Sequence, residues 1–222
     1  MIKTYFQAKP NHVRQIIEQY EPCNVVDQSQ CVQLSSVDDL FVILDGSNTI
    51  LDSRRQDYWY RTIDISKELV NQLKLTKTVA HFVIPKDPNF KKKLSKRMGR
   101  EAEQYDEIVN GTLCTDARKM HNELEQAKNY YHVPGGKQDL QPTLEDIALR
   151  LKDRTGLIVI MSGPYVPDIV HSIHTKNTAV LLYYDALYIE PDKVKRVSVD
   201  KIFTDGTMLI EEVVNLVNTP GR

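Results

Sequence analysis

Four short and almost continuously apolar runs, separated by longer polar segments, constrain most strongly how this chain can fold. They lie at residues 40–44 (LFVIL), 78–84 (TVAHFVI), 157–161 (LIVIM) and 178–184 (TAVLLYY). Strands that are buried on both faces, as in a parallel sheet, have this pattern because no alternate position has to face water. Segments with helical features lie between and after these runs, at 57–75, 101–130, 143–153 and 207–217. The alternation predicts an α/β, Rossmann-like domain with a central, mainly parallel sheet flanked by helices.

The regular alternation begins only after the first 36 residues. We therefore predict that residues 1–36 form an N-terminal extension and that residues 37–222 form the folded domain. Within the extension, residues 12–20 (HVRQIIEQY) have the spacing of a short helix, with Asn11 as its cap.

Charge and cysteine content narrow the class of protein. The chain has 222 residues, with 29 Lys and Arg against 30 Asp and Glu, so its net charge of −1 gives no overall attraction to nucleic acid or acidic membranes. Its three scattered cysteines, Cys23, Cys31 and Cys114, predict neither a disulfide framework nor a zinc site. No apolar run approaches the roughly 18 residues of a membrane span. These features predict a cytoplasmic protein with no membrane partner.

Small polar residues follow the first apolar run, where a parallel sheet places its chemistry. Asp45, Ser47 and Asn48 come directly after it, and their oxygen atoms suit a hard divalent cation. The alternative is a simple turn, because Asp-Gly is a common turn pair.

Further carboxylates occur around the third apolar run. Glu145 and Asp146 precede it, and we expect Thr143 and Asp146 to form a capping box that opens a helix; Asp168 lies in the segment after it. The alternative for the acidic pair is stabilisation by the helix dipole alone. Carboxylates gathered at one sheet edge repel one another unless a cation such as Mg²⁺ or Mn²⁺ neutralises them.

Two ordered blocks of this sequence resemble the NYN-type, PIN-like ribonucleases of the Regnase group. The first is FVILDGSNTILDSRR followed by a helix and VAHFVIPKD, and the second is EDIALRLKDRTGLIVIMSGPYVPDI. The resemblance covers about residues 38–195 and implies an NYN/PIN-like nuclease domain. It implies an enzyme, a Mg²⁺- or Mn²⁺-dependent endoribonuclease that hydrolyses phosphodiester bonds in single-stranded or stem-loop RNA. Homodimerisation is left open.

The same resemblance assigns roles to individual residues. Asp45 would be the primary metal ligand, and Asn48 would orient it or bind the scissile phosphate. Asp146 would be the second carboxylate, with Glu145 beside it, and Asp168 would hold metal-bound water. Ser47 and Ser162 would contact the phosphate or support the ligands.

Pro164 departs from this pattern, because it stands where the family has a metal-site aspartate. The alternative function is therefore a catalytically impaired NYN-fold protein that acts as an RNA-binding or scaffolding module. A remote alternative is a haloacid-dehalogenase-like phosphatase with Asp45 as its nucleophile, although Ser47 stands in place of its acid/base aspartate.

A basic segment follows the second apolar run. Residues 86–100 (KDPNFKKKLSKRMGR) include Lys91, Lys92, Lys93, Lys96, Arg97 and Arg100, and Arg54 and Arg55 lie nearer the first run. We predict that these cations hold an RNA backbone, the alternative being a solvated surface. The aromatic residues Tyr58, Trp59 and Tyr60 could stack on bases, but packing against the sheet is favoured.

Overall fold

A computed structural model describes residues 36–44, 55–85, 105–129, 140–162, 177–184 and 199–218. The chain divides into two units, Met1–Cys31 and Val32–Arg222, and every described residue belongs to the second. The predicted extension over residues 1–36 and its short helix therefore stay predictions.

Six strands and four helices make up the described part of the chain. The strands are β1 (Asp39–Leu44), β2 (Val79–Pro85), β3 (Tyr105–Thr112), β4 (Gly156–Ser162), β5 (Thr178–Tyr184) and β6 (Lys201–Phe203). The helices are α1 (Arg55–Leu73), α2 (Leu113–Ala127), α3 (Leu140–Arg150) and α4 (Gly206–Asn218). The four apolar runs correspond to β1, β2, β4 and β5, which confirms that they are strands.

All six strands belong to one sheet, in the order β3-β2-β1-β4-β5-β6. Every neighbouring pair is parallel except β2 and β3, which are antiparallel. The predicted fold class, an α/β Rossmann-like domain with a mainly parallel sheet flanked by helices, is confirmed.

Both faces of the sheet are buried, which explains why its central strands are apolar at successive positions. In β1, Leu40, Val42 and Leu44 belong to one core cluster, whereas Phe41 and Ile43 belong to the other. Helices α1, α2 and α4 contribute to the first cluster, and α3 contributes to the second. Because side chains alternate along a strand, two apolar faces require an uninterrupted apolar run.

The prediction of helix throughout residues 101–130 is wrong in its first part. Residues 105–112 form β3, and only the part from Leu113 onward is helical. Tyr105 and Val109 are buried in β3, but the register shifts between Phe82 and Val83 of the partner strand. This irregularity, on an edge strand with a single neighbour, removes the strict alternation that would have marked a strand.

A polar network joins the three strands on the β3 side of the sheet. The His81 ring stacks on Phe41, with centroids 4.4 Å apart. Its Nδ1 lies 2.5 Å from a Glu107 carboxylate oxygen, and its Nε2 lies 3.4 Å from Oδ1 of Asp39. Arg154, just before β4, forms an ion pair with the other oxygen of Asp39. The Arg154 guanidinium compensates the charge of this carboxylate, whose residue is only 5% exposed.

Candidate functional site

The sheet order brings the ends of β1 and β4 together. β1 is hydrogen-bonded to β2 on one side and to β4 on the other, so the strand order reverses between β1 and β4. Leu44, the last residue of β1, pairs with Met161, and Ser162 ends β4 one residue later. In open parallel sheets, ligands bind in the crevice beyond the carboxyl ends of the strands at such a reversal. This edge is therefore the candidate functional site.

The described residues at this edge are closely packed. Ser162 is fully buried, and its carbonyl oxygen accepts a hydrogen bond from the hydroxyl of Tyr58 in the first turn of α1. Tyr184, the last residue of β5, pairs with Ser162 across the ladder. Burial raises the pKa of the Tyr184 phenol, so this group stays protonated and uncharged at neutral pH. The described ends of β4 and β5 are thus uncharged, and any charge at this edge must come from the segments that follow the strands.

Only some of the predicted site residues belong to the described part of the chain. Those described are Glu145 and Asp146 on α3, Ser162 at the end of β4 and the backbone of Arg55 at the start of α1. The others lie outside the described residues: Asp45, Ser47, Asn48, Arg54, Lys91, Lys92, Lys93, Lys96, Arg97, Arg100 and Asp168. Their assigned roles stay predictions.

Glu145 and Asp146 do not open a helix, so the predicted capping box is wrong. Helix α3 begins at Leu140, three residues before Thr143, because Leu140 is itself buried in the core beneath this helix. Thr143 lies inside this helix and is fully buried, so it is not the residue that caps it. Glu145 is exposed and accepts a hydrogen bond from Gln141 at 3.0 Å, while Asp146 is half-buried. Their role as metal ligands stays a prediction.

Within the described ranges, no three His, Cys, Asp or Glu side chains are placed to hold a metal ion. A cation site at the sheet edge therefore needs residues from the segments outside those ranges, among them the predicted ligands Asp45 and Asp168. The donor chemistry fits a hard divalent cation, because Asp45, Ser47 and Asn48 offer carboxylate, hydroxyl and amide oxygens directly after β1.

Two of the three aromatic residues of α1 pack inside the domain, as the sequence favoured, while Tyr60 is partly exposed. Tyr58 is 1% exposed and Trp59 is 4% exposed. The Trp59 indole Nε1 donates a hydrogen bond of 3.1 Å to the Ala127 carbonyl at the end of α2. These two side chains hold α1 in place and are not available to stack on bases.

Charged groups on α1 and α2 form a paired surface. Lys67 forms an ion pair with Glu125, and its ammonium group lowers the pKa of that carboxyl. Lys128 lies 2.8 Å from Asp64, which raises the pKa of Lys128. These mutual contacts leave the surface electrostatically balanced.

An open groove of about 490 Å³ lies between α1 and the start of α4. It is lined by four carboxylates, and Arg61 contributes a positive charge among them. One of these carboxylates, Asp205, accepts hydrogen bonds from the backbone N–H groups of Met208 and Thr207, and these bonds lower its pKa. Asp205 is therefore a helix cap.

No protein-family model matches this sequence, and a search of curated proteins finds no relative. Solved structures do match the fold. A manganese-loaded TRAP protein of Plasmodium vivax has a TM-score of 0.58 at 14% identity, over 82% of this chain and 74% of that one. Proximal thread matrix protein 1 from the mussel byssus has a TM-score of 0.55 at 10% identity, over 83% and 49%. A von Willebrand factor type A protein from Catenulispora acidiphila has a TM-score of 0.52 at 11% identity, over 82% and 42%. The chain thus spans less than half the length of the last two proteins.

These neighbours overturn the resemblance to NYN/PIN ribonucleases. This fold is shared with solved proteins that include a von Willebrand factor type A protein and TRAP, so the endoribonuclease function is wrong, together with the NYN-fold and phosphatase alternatives stated beside it. The physical reason is that many α/β sheets carry polar residues at the carboxyl ends of their strands. A short Asp-Gly-Ser-Asn sequence after a buried strand therefore identifies the edge without identifying the chemistry. Pro164 then needs no explanation as a lost ligand.

The neighbouring TRAP structure is manganese-loaded, whereas binding of Mg²⁺ or Mn²⁺ by this chain stays a prediction. None of the helices in the described ranges is long and apolar enough to cross a membrane. RNA as a partner and a homodimer as the assembly stay predictions.

Proposed function

We propose that this chain is a non-enzymatic binding module that engages a partner protein through a divalent cation held at the carboxyl edge of its sheet. One observation carries the proposal: the oxygen-rich sequence from Asp45 to Thr49 directly follows β1, at the reversal of strand order between β1 and β4. The likeness to a manganese-loaded structure of the same fold supports it. The likeness to a thread matrix protein supports an adhesive or scaffolding role.

The proposed ligands come from the two segments that follow adjacent strands. Asp45 supplies a carboxylate and Ser47, Asn48 and Thr49 supply neutral oxygens after β1, whereas Asp168 supplies a second carboxylate after β4. Mg²⁺ and Mn²⁺ prefer oxygen ligands of these types. When bound, the cation supplies positive charge and open coordination positions that an oxygen atom of a partner can fill.

The surroundings of the site favour a bound cation. Tyr184 is uncharged at neutral pH and Ser162 is neutral, so the described ends of β4 and β5 provide no competing positive charge. A carboxylate placed there gains most by pairing with a cation, since burial penalises an isolated charge.

The test is Mn²⁺ binding by the full chain, measured by isothermal titration calorimetry and by electron paramagnetic resonance. We expect wild type to bind, and we expect Asp45→Ala to lower the affinity at least tenfold because the cation loses a charged ligand. Thermal unfolding gives an independent readout, because Mn²⁺ at about 100 times Kd should stabilise the folded state by about 2.7 kcal/mol.

Asp153→Ala is the matched control. Asp153 is an exposed aspartate in the turn before β4, at the opposite end of that strand from Ser162, so its substitution should leave Mn²⁺ affinity unchanged. Equal loss of binding in both variants would contradict the role of Asp45. Failure of wild type to bind Mn²⁺ or Mg²⁺ would refute the proposed function.

A further inference from the structure

Three hydroxyl side chains recur every four residues on the inward face of α1. Tyr58, Thr62 and Ser66 are each no more than 1% exposed. Residues at this spacing lie on one side of a helix. They form a buried polar stripe between α1 and the sheet, where an apolar stripe would be the ordinary arrangement.

Two members of the stripe donate to backbone carbonyls of their own helix, and Ser66 also makes a weak 4.0 Å contact with Sδ of Met161 in β4. The Thr62 hydroxyl donates to the Trp59 carbonyl at 2.8 Å, and the Ser66 hydroxyl donates to the Thr62 carbonyl at 2.8 Å. The two carbonyl bonds satisfy the buried hydroxyls inside the helix, and a 4.0 Å contact with sulfur adds little to hold the helix against β4.

Tyr58 differs, because its hydroxyl bonds a backbone carbonyl of another element. It donates a buried hydrogen bond to the carbonyl of Ser162, 104 residues later in the sequence. Ser162 is the last residue of β4, and Tyr58 lies in the first turn of α1, which begins ten residues after Asp45. The bond therefore joins the helix that follows β1 to the end of the neighbouring strand β4.

We infer that Tyr58 is a positioning residue for the cation site, since it anchors the segments after β1 and β4 to each other. This inference rests on the proposed function. Asp45 lies in the segment that ends at α1, and Asp168 lies in the segment that starts after Ser162. The bond between Tyr58 and Ser162 holds the end of the first segment close to the start of the second. The two segments then lose less conformational entropy when both supply ligands to one ion.

The test compares Tyr58→Phe with Tyr60→Phe in the full chain. Both variants remove one phenolic oxygen from α1, but the Tyr60 hydroxyl is bonded to Gln56 within the helix, at 2.6 Å. We expect the Mn²⁺ Kd to rise roughly three- to tenfold in Tyr58→Phe, the change expected from one lost hydrogen bond. We expect no change in Tyr60→Phe.

Hydrogen exchange of wild type gives a second measurement that needs no variant. Addition of Mn²⁺ should slow amide exchange both at the start of α1 and at the end of β4, because the two are joined. Slowing at only one of these places would overturn the inference.

The outcomes separate the inference from the proposed function. If wild type binds Mn²⁺ and Tyr58→Phe binds it equally well while its urea midpoint falls, Tyr58 supports the fold alone and the inference is overturned. If wild type binds no Mn²⁺, the proposed function falls and the inference falls with it. A raised Kd in Tyr58→Phe, with Tyr60→Phe unchanged, supports both.

Discussion

Gly156, the first residue of β4, has no room for a side chain. A Cβ built on Gly156 would lie 2.8 Å from Cδ2 and 3.0 Å from Cγ of Leu151, with Cδ1 also in contact. Carbon atoms in protein cores pack at about 3.5–4.0 Å. Leu151 is 1% exposed and belongs to the core cluster beneath α3, so it cannot swing into solvent. We expect Gly156→Ala to destabilise the domain by about 1–2 kcal/mol through overpacking.

Removing the obstructing side chain should reverse the sign of this effect. Leu151→Ala alone should cost about 2–5 kcal/mol, because it leaves a cavity in the core. In that background the added methyl group of Gly156→Ala meets open space, and it also reduces the entropy of the unfolded chain. The second substitution should then stabilise by roughly 0.4–1 kcal/mol.

The assay is urea unfolding of wild type, both single variants and the double variant, followed by circular dichroism. Gly206→Ala, on helix α4 against the other core cluster, is the control and should have the same effect in both Leu151 backgrounds. Distant substitutions add to within about 0.5 kcal/mol. If the effect of Gly156→Ala were the same in both backgrounds, the reasoning from this contact would be refuted.

Two further predictions concern charged groups. Arg154→Met should lower the free energy of unfolding by roughly 1 kcal/mol, because it leaves the buried Asp39 carboxylate without its cation; the value is small for a buried ion pair because Arg154 itself is half exposed. Lys201→Met breaks the more exposed pair with Glu212, and it should change stability by less than about 0.5 kcal/mol in the same urea assay. Equal effects would contradict the role of burial. Asp205→Asn should make stability less dependent on acid pH, because the folded-state pKa of Asp205 is lowered by the backbone N–H groups at the start of α4. That contribution is present above the unfolded value of about 4 and is lost as pH falls through the folded value, so wild type should lose stability more steeply than the variant in thermal melts below about pH 4. Parallel pH profiles of wild type and variant would show that the cap carries no charge contribution.

The sequence by itself determined the central strands and the fold class. β1, β2, β4 and β5 lie within one or two residues of their predicted positions, because a strand buried on both faces must be apolar almost throughout. The closing helix α4, over Gly206–Asn218, was predicted at residues 207–217 for a similar reason, since its apolar residues recur at helical spacing. Apolar residues that recur at the spacing of a strand or a helix mark the faces that are kept from water, and this pattern can be recognised within one short segment of sequence.

Only the tertiary structure decided the edges of the sheet. β3 carries exposed Asp106 and Glu107 between its buried residues, and it pairs through an irregular register with one neighbour. β6 has only three residues, too few for a periodic pattern. Edge strands draw their stability from a partner distant in sequence, so their own residues specify them weakly.

The candidate site was also predicted from the sequence only in part. The Asp-Gly-Ser-Asn sequence after an apolar run located a polar segment at a strand end, but not which strands would be neighbours there. The order that places β1 beside β4, and the hydrogen bond from Tyr58 to Ser162, depend on contacts between residues about 100 positions apart. The spacing of residues within one segment does not predict such long-range contacts. They depend on which side chains pack together across the sheet.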